Sequence, residues 1–305
     1  MKSVIKINNL VCQFGSTRAV NGISLEIEES SICALLGPNG AGKSSVIKSI
    51  MGLYPQYSGQ IKTLGRDSKK LSTIELQNIG YVSEDQKLPG WMTVSNLMQY
   101  CKTLYPSWDE EFNGSLIQQF DLPRSQKIAQ LSRGMKMKAA LIASISYRPK
   151  LLILDEPFSG LDPEVREEVI DGILSLTEQE QWTVLLTSHD LEEVERLADQ
   201  IMIIKSGEVL MDEKVDPLQE SFRSIQVNLK SPIPNKEEFP KNWLQPKSNS
   251  HFLEFIHKNT EGINLESEIT NKFGEITSIT SEAVGLREIY LAITKNKTPS
   301  APALK

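Results

Sequence analysis

The stretch Ile32-Cys33-Ala34-Leu35-Leu36-Gly37-Pro38-Asn39-Gly40-Ala41-Gly42-Lys43-Ser44 decides the fold. Its five leading apolar residues read as a short strand buried on both faces. The residues after them satisfy G-x-x-x-x-G-K-[ST] at every fixed position, with a helix expected beyond. Glycines let the backbone curl until successive N–H groups point into one concavity. The following helix directs its positive end at the same place. Lys43 then supplies a mobile charge for β- and γ-phosphates, and Ser44 a hydroxyl for Mg²⁺. Taken alone, this loop predicts a nucleoside triphosphatase or kinase.

Two other apolar runs also end in reactive side chains. Leu151-Leu152-Ile153-Leu154 meets Asp155-Glu156-Pro157, and Thr183-Val184-Leu185-Leu186-Thr187 meets Ser188-His189. Parallel sheets gather their sites at the carboxyl ends of strands, so the three runs predict one site. Neighbouring strand residues point to opposite sides, but the chain can turn at a strand end. Asp155 can then serve a metal and Glu156 a water.

Outward from these runs the chain reads as an α/β core with additions. Residues 4–7 and 23–27 alternate as half-buried antiparallel strands do. Residues 201–204 and 208–211, joined by Ser206-Gly207, read as a hairpin. Residues 87–134 carry helical spacing, and Ser107-Trp108-Asp109-Glu110 has the form of a capping box. The expected organisation is a domain over 1–218 with a helical subdomain at 87–134, a small α+β domain over 219–295, and a flexible tail over 296–305.

Composition narrows the function. The 305 residues include 39 acidic and 33 basic side chains, a formal charge of −6, which disfavours nucleic acid as a partner. Cys12, Cys33 and Cys101 are scattered and form no CxxC pair. They read as small buried residues in a reducing compartment. The amino terminus shows no signal-peptide core, and no apolar run approaches the ~18 residues of a membrane span, so another chain must cross any membrane involved. His251 and His257 lack a reactive context and read as surface residues.

The motif set resembles the nucleotide-binding domain of the ABC ATPase family, in order across about residues 1–215. Gly37, Pro38, Asn39, Gly40, Ala41, Gly42, Lys43, Ser44 and Ser45 look like its Walker A loop, and residues 151–156 like its Walker B strand. Leu131-Ser132-Arg133-Gly134-Met135 is similar to the family signature Leu-Ser-Gly-Gly-Gln. Ser159-Gly160-Leu161-Asp162 resembles the D-loop, His189 the switch histidine, and Phe14 the aromatic that stacks on adenine. Two departures stand out. Arg133 and Met135 replace Gly and Gln in the signature, and Glu84 stands where the family places a Mg²⁺-sensing Gln, with Gln86 a weaker candidate for that role.

The resemblance implies a P-loop NTPase core and an ATPase with Glu156, His189 and Lys43 as catalytic residues. It implies Mg²⁺ held by Ser44, Asp155 and Glu84. It also implies a head-to-tail dimer, of two copies or with a related ATPase chain, in which Ser132, Arg133, Gly134 and Asp162 face ATP on the partner. Arg133 would make an ion pair across that interface or face solvent. Residues 87–134, with Trp91 and Met92, would dock on a separate transmembrane permease at the cytoplasmic face of a membrane. The stretch Tyr105-Pro106-Ser107-Trp108-Asp109-Glu110 is similar to bacterial antibiotic and multidrug exporter ATPases. The alternative is a soluble ABC ATPase acting on ribosomes or nucleic acid.

Overall fold

Alternation near the amino terminus builds two strands longer than expected, β1 (Ser3–Phe14) and β2 (Thr17–Glu28). Ile5, Ile7, Leu10 and Cys12 of β1 and Ile23, Leu25 and Ile27 of β2 are buried. In this computed structural model the described residues are 2–54, 58–84, 86–233, 239–240, 242–258 and 265–296, side chains of 294–296 excepted. They fall into two compact units, Met1–Asp212 and Glu213–Lys305. Of the flexible tail expected over 296–305, Asn296 is the last residue of a helix and the rest lies outside the described residues.

In the first unit the chain runs from β3 (Ile32–Leu36) through the glycine-rich loop into α1 (Lys43–Ile50). It returns beside β1 as β4 (Ser58–Thr63) and β5 (Arg66–Asp67), completing a four-stranded sheet of order β2-β1-β4-β5. The short α2 (Thr73–Leu76) leads to β6 (Ile79–Ser83). Three helices follow: α3 (Val94–Leu104), α4 (Glu110–Gln119) and α5 (Arg133–Ile145). Helix α4 starts one residue after its cap. Asp109, not Ser107, is the N-cap, its carboxylate accepting from the Phe112 amide at 2.9 Å. Ser107 instead donates to the Tyr147 carbonyl. Asp109 stands directly before the first helical residue, so its carboxylate reaches an amide of the first turn, whereas Ser107 lies two residues farther back.

The remaining elements of this unit are β7 (Leu151–Asp155), α6 (Pro163–Glu180), β8 (Thr183–Ser188), α7 (Leu191–Leu197), β9 (Gln200–Lys205) and β10 (Glu208–Lys214). The second sheet has the order β10-β9-β3-β8-β7-β6, and the pairs among β9, β3, β8, β7 and β6 are parallel. Every residue of β3, β7 and β8 is buried, as their continuous apolar runs require. Cys33, Leu35, Ile153, Leu185, Met202 and Ile204 share one core with the inner face of the first sheet and with Val46, Ile47 and Ile50 of α1.

The second unit contains α8 (Val215–Ser221), β11 (Phe222–Leu229), β12 (Trp243–Asn249), β13 (Phe252–Lys258), α9 (Leu265–Phe273), β14 (Ile276–Ala283) and α10 (Leu286–Asn296). Its antiparallel sheet runs β12-β13-β11-β14. Trp243 stacks on Phe255 at 3.8 Å over Val227, Leu253, Ile269 and Phe273.

One expectation fails in this unit. His251 is exposed as expected, but His257 is only 5% exposed on β13, its ring perpendicular to that of Phe255. Alternation along β13 turns Leu253, Phe255 and His257 inward together. Its Nε2 is buried without a hydrogen-bond partner. Burial holds its pKa below the ordinary 6.5, against the opposing pull of Glu268. The unfolded chain therefore takes up the proton first. Stability is level above the usual histidine range and falls as pH drops through it. Thermal unfolding from about pH 8 to about pH 5 is expected to show an acid decline that His257→Leu flattens. Equal declines in both proteins would assign it elsewhere.

Candidate functional site

Register brings the reactive strand ends into one row. Ser83 pairs with Asp155, Asp155 with Thr187, and Ser188 with Leu36, the residue before Gly37. The loops after β6, β3, β7 and β8 thus leave the sheet at one edge and carry Glu84, residues 37–45, Glu156 and His189. A cleft of about 260 Å³ opens there, lined by residues 38–45, Ala19, Glu84 and Glu156.

Lys43, the first residue of α1, is buried and donates to the Gly37 carbonyl at 2.6 Å. Its ammonium also lies 3.0 Å from Oε1 of Glu156, an ion pair whose side chains are 6% and 10% exposed. Glu156 sits just past β7 with φ +51°, a left-handed conformation that non-glycine residues rarely adopt. From that turn its side chain reaches Lys43, next in sequence to the Ser44 that bonds Asp155. Its other oxygen lies 2.8 Å from Nδ1 of His189. The Glu156 carboxyl group meets Lys43 through one oxygen and His189 through the other. Lys43, Glu156 and His189 are thus one connected chain.

Asp155 is fixed by two hydroxyls. Thr187 donates to its Oδ1 at 2.8 Å and Ser44 donates to the same oxygen at 3.3 Å. The Thr187 hydroxyl also accepts from the Glu156 amide at 2.8 Å, so one side chain orients both acids. A carboxylate and a hydroxyl side by side are hard oxygen donors that suit Mg²⁺, which completes its shell with water and phosphate. Among the described residues no cluster of three or more His, Cys, Asp or Glu offers an all-protein metal cage.

Glu84 lines the cleft and accepts from the Ser159 hydroxyl at 2.9 Å. Gln86 folds back, its Oε1 accepting from the Ser83 amide at 3.3 Å. Phe14 is 42% exposed, meets Tyr54 edge to face at 5.2 Å, and lies outside the lining of the cleft.

The other expected residues stand at helix starts. Ser132 caps α5, its hydroxyl accepting from the Met135 amide at 3.1 Å. Asp162 caps α6 through the Val165 amide at 3.1 Å, with Pro163 in the first turn. Arg133 lies on Gly160 of its own chain. Gly134 has a packing role of its own, because a Cβ there would fall 2.5 Å from Cγ1 of Val165. Gly134→Ala is expected to destabilise the chain by about 1–3 kcal/mol in thermal or denaturant unfolding. Adding Val165→Ala should recover most of that loss. No recovery would show that the methyl group acts elsewhere.

Sequence reasoning missed Thr187, Arg166 and Glu193. Arg166 of α6 lies 3.4 Å from Asp190 and 3.3 Å from Glu193 of α7. Glu193 also accepts from Ser188 at 2.7 Å, and burial pushes its carboxyl up. These contacts brace the turn carrying His189 against α6. The only signal for them was position: Thr187 lies level with Asp155, and Arg166 one helical turn beyond Asp162.

Comparison with known proteins bears on the family and the fold. The family model described as ABC transporter matches residues 20–159. The uncharacterized ABC transporter ATP-binding protein YxlF of Bacillus subtilis is 30% identical over 306 residues, covering 95% of this chain and 99% of its own. The chain belongs to the ABC transporter ATP-binding family. A solved structure described as an ATP-binding subunit of an ABC transporter is 25% identical, with a TM-score of 0.65 over 71% of this chain and 92% of its own. The cassette MJ0796, described as a dimeric post-hydrolysis state bound to ADP and Pi, shares the fold at a TM-score of 0.61 and 23% identity, over 69% of this chain and 98% of its own. As an ABC ATPase, the chain has the mixed α/β cassette expected from its strand-end motifs. No helix among the described residues is long and apolar enough to cross a membrane.

Proposed function

We propose that this ABC ATP-binding subunit drives an exporter, docked through its helical segment on a separate permease at the cytoplasmic face of the membrane. The observation that supports docking is Trp91, 73% exposed where the chain leaves the cleft toward α3. An exposed indole beside a partly buried Met92 suits an apolar partner surface. The export direction rests on the likeness of residues 105–110 to exporter subunits.

ATP would bind along residues 37–45 with its adenine on Phe14, and a second ATPase chain would cap it with Ser132, Arg133, Gly134 and Asp162. Ser44, Asp155 and Glu84 would hold Mg²⁺, whose contribution is to neutralise charge on the β- and γ-phosphates. Lys43 would leave Glu156 for the phosphates. Glu156 would then hydrogen-bond the attacking water and take its proton as the water oxygen bonds to phosphorus and the bond to the ADP oxygen breaks. His189 would hold that water in line and stabilise charge on the γ-phosphate. Loss of the bridging phosphate would open the dimer, the mechanical output.

A pull-down from membranes with tagged Glu156→Gln protein and Mg-ATP tests this. A polytopic membrane protein as the main partner is expected. Ribosomal proteins or nucleic acid in its place would overturn the transporter docking and leave the ATPase reading intact.

A further inference from the structure

Arg133 occupies a signature position where the family resemblance leads one to expect glycine, and the fold gives the added side chain a seat. It is the first residue of α5, directly after the capping Ser132. Its guanidinium lies across Gly160, in the turn between β7 and α6. A Cβ on Gly160 would fall 2.5 Å from Nη1, 2.6 Å from Cζ and 3.1 Å from Nε of Arg133. Three atoms of one flat group thus crowd the bare Cα, and Gly160 also has φ +67°. Contact is made plane against backbone, which a planar guanidinium achieves and a compact ammonium does not.

The turn beneath Arg133 leads to the cleft. Ser159, next to Gly160, donates to Glu84, and Glu84 lines the cleft. Two residues past Gly160, Asp162 caps α6, against which Gly134 packs through Val165. The start of α5, residues 159–162 and Glu84 therefore form one continuous set of contacts within a single chain.

We propose that Arg133 is a positioning residue that locks the loop of Ser132 and Gly134 to the turn of Ser159–Asp162, so that both move together and carry Glu84 with them. The lock rests on the reading above, in which Ser132 and Asp162 face ATP on the partner. It assigns Arg133 a role on its own subunit, with the guanidinium acting through Gly160 and Ser159 on Glu84. Nucleotide is first held by Lys43 and its loop on one subunit, ahead of capping by the second chain, so loss of Arg133 should impair turnover while the affinity of the single subunit for nucleotide is kept.

Steady-state ATPase of the full chain, with hydrogen exchange across residues 159–161, tests the lock. Arg133→Gly is expected to lower kcat about tenfold with KM for ATP within about twofold of wild type, and to speed exchange at the turn. Arg133→Lys should behave like Arg133→Gly. Gly160→Ala both displaces the guanidinium and strains a turn held at φ +67°, so it should slow turnover more in the wild-type background than in Arg133→Gly, where only the strain remains. Unchanged kcat and exchange in Arg133→Gly, or fully additive effects of the two substitutions, would overturn the proposal. ATP-driven dimerisation of Glu156→Gln, measured in parallel, separates the two readings. A persistent monomer there, with Arg133 and Gly160 still coupled in exchange, would remove the shared-site reading and keep the intramolecular lock.

Discussion

Glu156→Gln is expected to slow ATP hydrolysis by on the order of 10³-fold and to leave nucleotide binding in place. The amide keeps the size of the carboxylate and can still meet His189 Nδ1, now 2.8 Å from Oε2. It cannot take a proton from water. The backbone features that place the residue, its left-handed turn and its amide bond to Thr187, do not depend on the charge. Single-turnover hydrolysis and nucleotide binding, measured on the same preparation, separate chemistry from affinity. The variant should also accumulate as an ATP-bound dimer, seen by size-exclusion chromatography with Mg-ATP. Turnover near wild type would take Glu156 out of the base role and direct attention to Asp155 or to a base from the partner.

Lys43→Ala should have a double effect. It removes the cation for the phosphates, and it strands Glu156 as a buried carboxylate. Breaking one side of a buried pair destabilises by about 3–5 kcal/mol, because the remaining charge loses its compensation. A lower midpoint in denaturant and a loss of ATP binding are both expected. The two losses have different remedies. Lys43→Ala combined with Glu156→Gln should regain most of the stability, since no unpaired charge is left, and should regain none of the affinity. Stability that stays low in the double variant would show that Lys43 matters mainly through its bond to the Gly37 carbonyl.

These residues were legible because they follow runs that admit one reading. Four or five successive apolar residues ending in a polar or glycine-rich motif, as in Leu151–Leu154 before Asp155 and Glu156, leave a buried parallel strand as the economical reading. Parallel strands then bring their carboxyl ends together whatever lies between them. Residues 131–135 and 159–162 were legible as a family pattern, but the seating of Arg133 on Gly160 was not. It depends on how α5 and the turn before α6 approach in space. Thr187 was hidden for a related reason, since a threonine in a strand is unremarkable until register sets it beside Asp155. In the second unit, β12 and β14 escaped notice because they are edge strands. Edge positions tolerate the Pro246 of β12 and the serines and threonines of β14, so neither shows an apolar alternation. His257 misled because its residue type suggested surface, whereas strand parity fixed its side.

The pair between Lys43 and Glu156 bears on how nucleotide affinity responds to ionic conditions. A bare cation in a loop would attract anions from the buffer, and chloride or sulfate would then compete with ATP as salt rises. Here the competitor is tethered to the same chain, 3.0 Å away, at an effective concentration that no buffer alters. The phosphates displace an internal anion, and added salt, excluded from a pair so little exposed, has little left to screen. Affinity for ATP should accordingly be governed by this fixed internal exchange and vary only shallowly with the salt of the medium.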